Sequence, residues 1–312
     1  MSFLYWLESI RTPALNTIFS LITHIGEETV FLVVALLVLW CIDKKRGYIL
    51  MMIGFIGIII NQILKLTFRI PRPWIKDPTF NALESAKPEA TGYSFPSGHT
   101  QNAAGTFGTL ARTARRSWLR VLCIAVVALV AFSRMYLGVH TPLDVGVSLL
   151  IGALLVWLVY PLLDRALEHK RAAWYLLGSM ALASLALVLL TELYFPTIPD
   201  IDPVNLASGQ SNAYTMLGCS LGILPVYAID RYRLNFKTQA PLLGQIGKLI
   251  VGAALAVAIK ALLKQPLISL FSNEAVARAV RYFILVVFAG TLWPMSFPLW
   301  AKLGKRRSHA KD

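Results

Sequence analysis

The chain has 312 residues, of which 56% are hydrophobic and 15% charged, with mean hydropathy +0.62 and a net charge of +14. Repeated apolar runs of about 20 residues, the length that crosses a bilayer's hydrocarbon core, exclude an ordinary soluble domain. The positive charge does not read as a nucleic-acid surface either, because it is collected in short segments between apolar runs.

The first 28 residues carry apolar side chains at Phe3, Leu4, Trp6, Leu7, Ile10, Leu15, Ile18, Phe19 and Ile22. They lack the basic start and continuous apolar run of a cleavable signal peptide. The pattern predicts an amphipathic, interfacial or shallow helix. Apolar runs then predict spans near 29–42, 48–68, 99–112, 118–138, 142–163, 173–195, 211–229, 243–264 and 279–301. The expected fold is all-α, a polytopic transmembrane helical bundle. It divides into the amphipathic segment 1–28, a core 29–195 and a C-terminal three-helix module 196–312.

Two connections stand out. The 69–98 loop is long and rich in Pro, Ala, Ser, Thr and Gly, which suits a lid or portal. The 195–211 loop holds Pro196, Pro199, Pro203, Asp200 and Asp202 and no basic residue. Cys41, Cys123 and Cys219 lie inside apolar runs without metal-ligand spacing and read as small buried hydrophobes.

Basic residues cluster in the segments 43–46, 112–120, 164–171, 230–237 and 302–312. These segments hold 18 of the 30 basic residues and five of the 16 acids, a net +13, which leaves +1 for the rest of the chain. By the positive-inside rule these alternate connections and the C-terminus are cytoplasmic. The 69–98 loop and the Gly138–Pro142 turn then share the opposite face.

Three segments near that face carry the chemistry. In the run from Ser133 to Asp144, His140 and Asp144 are four residues apart, a spacing that brings them onto one helix face. A carboxylate there can hold one imidazole nitrogen as N–H and leave the other as a nucleophilic lone pair. Arg134, at the end of the preceding span, can return across the turn to a phosphate. Pro96-Ser97-Gly98-His99 opens another helix. Ser97 can cap it, Gly98 lets backbone N–H groups approach an anion, and His99 suits protonation of a leaving alkoxide. Lys65 ends an apolar run, and Arg72 stands between Pro71 and Pro73, which stiffen the backbone and aim the guanidinium. Arg offers a two-pronged grip on phosphate and Lys a point charge. Arg69 and His24 read as ordinary interfacial residues. Trp74, Tyr93 and Phe95 suit an aromatic belt or a lipid portal.

Together these segments, K-x6-R-P, P-S-G-H and S-R-x5-H-x3-D, resemble the signatures of the type 2 phosphatidic acid phosphatase superfamily without departure, over residues 29–163. The resemblance implies a phosphohistidine mechanism. His140 attacks phosphorus, Asp144 orients it and His99 protonates the leaving group. Lys65, Arg72, Ser97, Gly98 and Arg134 hold the phosphate oxygens, with no metal and no cofactor. The leading expectation is an integral membrane lipid phosphatase acting on phosphatidate, phosphatidylglycerol phosphate, a polyprenyl diphosphate or a sphingoid phosphate. The alternatives are a phosphatase for a soluble sugar phosphate and a lipid phosphotransferase. The expected partners are the lipid bilayer and its lipids rather than nucleic acid. The expected location is a bacterial inner membrane, with the site on the periplasmic or extracellular face and the C-terminus cytoplasmic; an endoplasmic reticulum protein with a lumenal site reads the same way.

Overall fold

The computed structural model describes residues 1–303. The basic residues Lys305, Arg306, Arg307 and Lys311 of the charge argument lie outside the described residues. The described chain is helical and contains no β-strand. In chain order the main helices are α1 (Ser2–Ser9), α2 (Pro13–His24), α3 (Glu28–Ile42), α4 (Lys44–Phe68), α5 (Gly98–Thr113) and α6 (Ser117–Tyr136). They continue with α7 (Pro142–Glu168), α8 (Lys170–Thr197), α9 (Pro203–Leu234), α10 (Leu242–Phe271) and α11 (Glu274–Trp300).

Among the described residues, seven helices are long and apolar enough to cross a membrane. Counting α2 and α3 as one span, bent by 50°, adds an eighth. Nine spans were expected, and α5 is the difference. It forms where the 99–112 run predicts, but it has only 16 residues. Thr100, Gln101, Thr106 and Thr109 on it are buried, so it is an internal helix shielded by its neighbours rather than a lipid-facing one.

Helix starts follow local chemistry. Thr12 caps α2, with Pro13 at the first helical position, where its missing N–H costs nothing. Ser97 caps α5 by accepting from Thr100 N at 3.4 Å. Thr141 and Asp144 form a reciprocal capping box at α7, in which Asp144 N donates to Thr141 Oγ1 at 3.3 Å and Thr141 N donates to Asp144 Oδ2 at 2.7 Å. Asn273 caps α11.

The chain forms two compact units. One comprises Met1–Leu32 and Ile49–Met216; the other comprises Val33–Tyr48 and the described residues from Leu217 to 303. In the first, α5 packs against both α6 and α7. A Cβ on Gly152 would lie 2.4 Å from Ala104 Cβ, so α5 and α7 approach through a small-residue contact that a larger side chain would force apart. The amphipathic pattern of α1 is resolved here. Leu4 and Leu7 are buried among Phe80, Tyr136, Leu137 and Val139, while Phe3 and Trp6 remain exposed. Arg11 follows and donates to Tyr136 O through Nε (3.1 Å) and Nη2 (2.9 Å). Gly138 turns the chain with φ +78°, in a space walled by Phe80 and Arg11 that admits no side chain.

In the second unit, Trp40 donates from Nε1 to Ala289 O at 2.8 Å. Lys248, fully buried, donates to Trp40 O at 2.9 Å and Thr238 O at 2.7 Å, with the Phe297 ring 4.6 Å from its Nζ. Lys44 pairs with Asp230 at 2.9 Å. The buried Trp40 and Lys248 donors thus meet carbonyls, as an apolar surrounding requires.

Candidate active site

The site is built where α4 ends, α5 begins and α6 turns into α7. Arg72 follows α4 in the first residues of the 69–98 loop. Its Nε donates to Gly92 O at 3.1 Å, Nη2 to Thr91 O at 2.7 Å and Nη1 to Val139 O at 3.0 Å. The guanidinium therefore clamps the loop to the Gly138 turn. Lys65, in the last turn of α4, donates to Tyr93 O. Arg134, in the last turn of α6, is fully buried and donates through Nη1 to Thr23 Oγ1. Among the described residues its Nε and Nη2 are buried with no hydrogen-bond partner, and so is His99 Nε2. All three cations are held by carbonyl and hydroxyl oxygens instead of carboxylates, which leaves their charge available.

His140 lies in the connection between α6 and α7, outside the membrane-spanning segments, and is 1% exposed. Its Nδ1 is 3.5 Å from Asp144 Oδ2, and its Nε2 is 2.9 Å from Arg72 Nη1. An arginine can only donate, so Nε2 carries the lone pair and the ring proton sits on Nδ1, toward the carboxylate. Burial first, and then the charges of Arg72, Arg134 and Lys65, push the His140 pKa well below its ordinary value. The imidazole is neutral, with its free lone pair on the side of the cations.

Lys65, Arg72, Gly98, His99, Arg134 and His140 line one cavity of about 370 Å³. Ser97 and Asp144 lie behind that lining. The Ser97 hydroxyl accepts from Thr100 N and, at 3.0 Å, from Thr100 Oγ1, which sets the start of α5 and leaves its own O–H to donate. Asp144 faces His140, Thr141 N and Ser94. Arg69 is directed elsewhere, donating to Pro199 O at 3.3 Å. Tyr93 and Phe95 are buried rather than belt residues, and the Tyr93 hydroxyl accepts from Asp202 N at 3.0 Å.

Sequence reasoning missed several residues. Ser94, fully buried, donates to Asp144 Oδ2 at 2.6 Å. Ser148 donates to Ser97 O at 2.9 Å and to Asp144 O at 2.8 Å, and Ser97 N donates to Asp144 O at 3.2 Å. The P-S-G-H segment is thereby stitched to the start of α7, where Asp144 lies. Asn61 donates to Gln101 Oε1 at 2.9 Å and bridges α4 to α5. Asn61 and Gln62 had a signal, being polar residues inside an apolar run. Ser94 had none. His24, read as ordinary, groups with Glu27 and Glu89, the potential ligand atoms all within 4.8 Å of one another. Both glutamates also line the cavity.

Comparison with known proteins adds to this geometry. The PAP2 superfamily matches residues 44–168, and a PAP2 superfamily phosphatase transmembrane extension matches residues 214–306. The undecaprenyl-diphosphatase of Sulfolobus acidocaldarius is 33% identical over 145 residues, which is 46% of this chain and 68% of that protein. Phosphatidylglycerophosphatase B of Bacillus subtilis is 29% identical over 165 residues, 48% of this chain and 76% of the relative. A probable sphingosine-1-phosphate phosphatase of Dictyostelium discoideum is 30% identical over 159 residues, 47% of this chain and 38% of the relative. No solved structure matches significantly. With its three signatures drawn into one buried cationic cavity among membrane helices, the chain belongs to the PAP2 superfamily of membrane phosphatases.

Proposed function

We propose that this protein is an integral membrane lipid phosphatase that hydrolyses a lipid phosphate monoester or diphosphate through a phosphohistidine. One observation carries the reading. Arg134 presents two buried, unpartnered nitrogens and His99 one, in a cavity shared with Lys65, Arg72 and His140. Burying cations to which no carboxylate is hydrogen-bonded costs several kcal/mol per ion. A phosphate dianion, accepting from all of them, offsets that cost.

In the proposed reaction His140 Nε2 attacks phosphorus and the bond from phosphorus to the leaving oxygen breaks. His99 gives that oxygen its proton. The charge gained by the imidazole is balanced by Asp144, which accepts at Nδ1–H and is itself held by Ser94 and Thr141 N. Water then attacks phosphorus as His99 takes its proton, the N–P bond breaks with its electron pair returning to His140 Nε2, and inorganic phosphate leaves. Lys65, Arg72, Arg134 and the Gly98 amide neutralise the phosphoryl oxygens as charge develops. Ser97 supports them by setting the start of α5.

The substrate reading rests on the membrane setting and on relatives named for undecaprenyl diphosphate, phosphatidylglycerophosphate and sphingosine 1-phosphate. A headgroup can enter at the interface while its chains stay in the bilayer, retaining burial of about 0.8 kcal/mol per methylene. The basic segments support a cytoplasmic C-terminus and a site on the periplasmic face of a bacterial inner membrane. The test is phosphate release from lipid and soluble phosphates in mixed micelles. Turnover that follows the surface concentration of lipid is expected. A soluble ester cleaved at a kcat/KM equal to or above every lipid's would contradict the lipid reading.

A further inference from the structure

The cavity extends beyond the phosphate-facing cations. Gln62 lies three residues before Lys65 on α4, and Asn102 three residues after His99 on α5, so each shares the face of a phosphate-facing residue. The end of α4 and the start of α5 both meet the 69–98 loop. One turn back from each end, about 5 Å, therefore leads away from that loop in the same sense. Asn212 on α9 also lines the cavity. Gln62 is only 8% exposed and lines the cavity. A side-chain carboxamide in that lining offers the cavity both a donor and an acceptor.

Resting on the phosphatase reading above, we propose that Gln62, Asn102 and Asn212 form a subsite for hydroxyl groups on the leaving alcohol. A leaving group with a free hydroxyl near the ester oxygen, as in a glycerol headgroup, meets amides that can both donate and accept. A bare acyl or prenyl chain would leave the amides unpaired. A second phosphate, as in a diphosphate, would meet neutral amides and the cavity's Glu27, Glu28 and Glu89 in place of cations. A site built to hydrogen-bond a hydroxyl discriminates strongly against an analogue that lacks it.

The test compares kcat/KM for phosphatidylglycerol phosphate, whose leaving group carries a free hydroxyl, with that for phosphatidate of the same acyl chains in the same micelles. Wild type is expected to prefer the former by about tenfold or more. Gln62→Leu and Asn212→Leu should each reduce that ratio by about fivefold or more, with the vanadate inhibition constant moving less than the ratio. If Gln62→Leu does not fold, Gln62→Met, which is closer in shape, serves the same comparison. Glycerol 3-phosphate is run in parallel, and a kcat/KM equal to the lipid's would assign the hydroxyls to a soluble ester. Equal wild-type rates on the two lipids, a preference for a prenyl diphosphate, or a ratio unmoved by the substitutions would overturn the subsite. None of those results touches the phosphatase reading, which fails instead if the folded protein turns over no phosphate ester.

Discussion

Arg72 Nη1 lies 2.9 Å from His140 Nε2, the nitrogen that the mechanism makes nucleophilic. The guanidinium thus fixes the tautomer of the proposed nucleophile and stands where the proposed mechanism places a phosphate oxygen. Entry of phosphate exchanges one acceptor of Arg72 for another and frees the lone pair in the same movement. The other two nitrogens of Arg72 stay anchored on Thr91 O and Gly92 O.

Arg72→Lys keeps the charge and loses this fork. Vanadate inhibition and kcat/KM should weaken by about tenfold or more, in line with a lost charge-assisted hydrogen bond of about 1.5–3 kcal/mol. Retention of wild-type kcat/KM would mean that charge alone suffices at this position.

Ser94→Ala removes the hydroxyl that donates to Asp144 Oδ2 at 2.6 Å. The expected loss is in kcat, by roughly tenfold to a hundredfold, since a hydrogen bond to a charged group is removed behind the nucleophile. KM should change little, because Ser94 does not line the cavity. A loss confined to KM, or a loss that tracks falling thermal stability, would assign Ser94 a purely structural role.

Much of this arrangement was legible in the sequence, for physical reasons. Apolar runs long enough for a bilayer identify themselves, so α4 and α6 to α11 could be read directly. The short α5 was harder, because a helix buried inside the bundle can carry Thr, Gln and Asn where a lipid-facing one cannot. The capping chemistry of Ser97 and the i, i+4 relation of His140 to Asp144 follow from local spacing, although His140 precedes α7 and meets Asp144 from the turn. What could not be read was long-range. Ser94 reaches Asp144 only through the course of the loop, and Arg134 meets Thr23 across 111 positions of sequence. Spacing in the chain holds no trace of either contact.

The charge of His140 gives a third test. Burial and the surrounding cations depress its pKa, so the neutral, nucleophilic form persists at pH values where an ordinary histidine is already protonated. In ¹⁵N-labelled protein, the ring nitrogens assigned by difference from His140→Asn should keep the neutral Nδ1–H signature at pH 6.5 and titrate only below it. A midpoint at or above 6.5 would contradict the electrostatics described here.

Sidedness is tested by labelling. In a background without Cys41, Cys123 and Cys219, Thr79→Cys should react with an impermeant thiol reagent added to intact cells. Ser117→Cys should not. Both positions are exposed in the structure, so the difference reports the membrane. The reverse pattern would invert the orientation.

The central claim is that His140 becomes phosphorylated. The most direct measurement is rapid acid-free quenching of enzyme mixed with a ³²P-labelled lipid phosphate, followed by peptide mapping under alkaline conditions that preserve phosphohistidine. The account predicts label on His140 that appears and decays at rates compatible with turnover, accumulates when His99→Ala slows hydrolysis, and is absent from His140→Ala, which should also lose about 1,000-fold or more in kcat. Undiminished turnover by His140→Ala, or competent label on another residue, would contradict it.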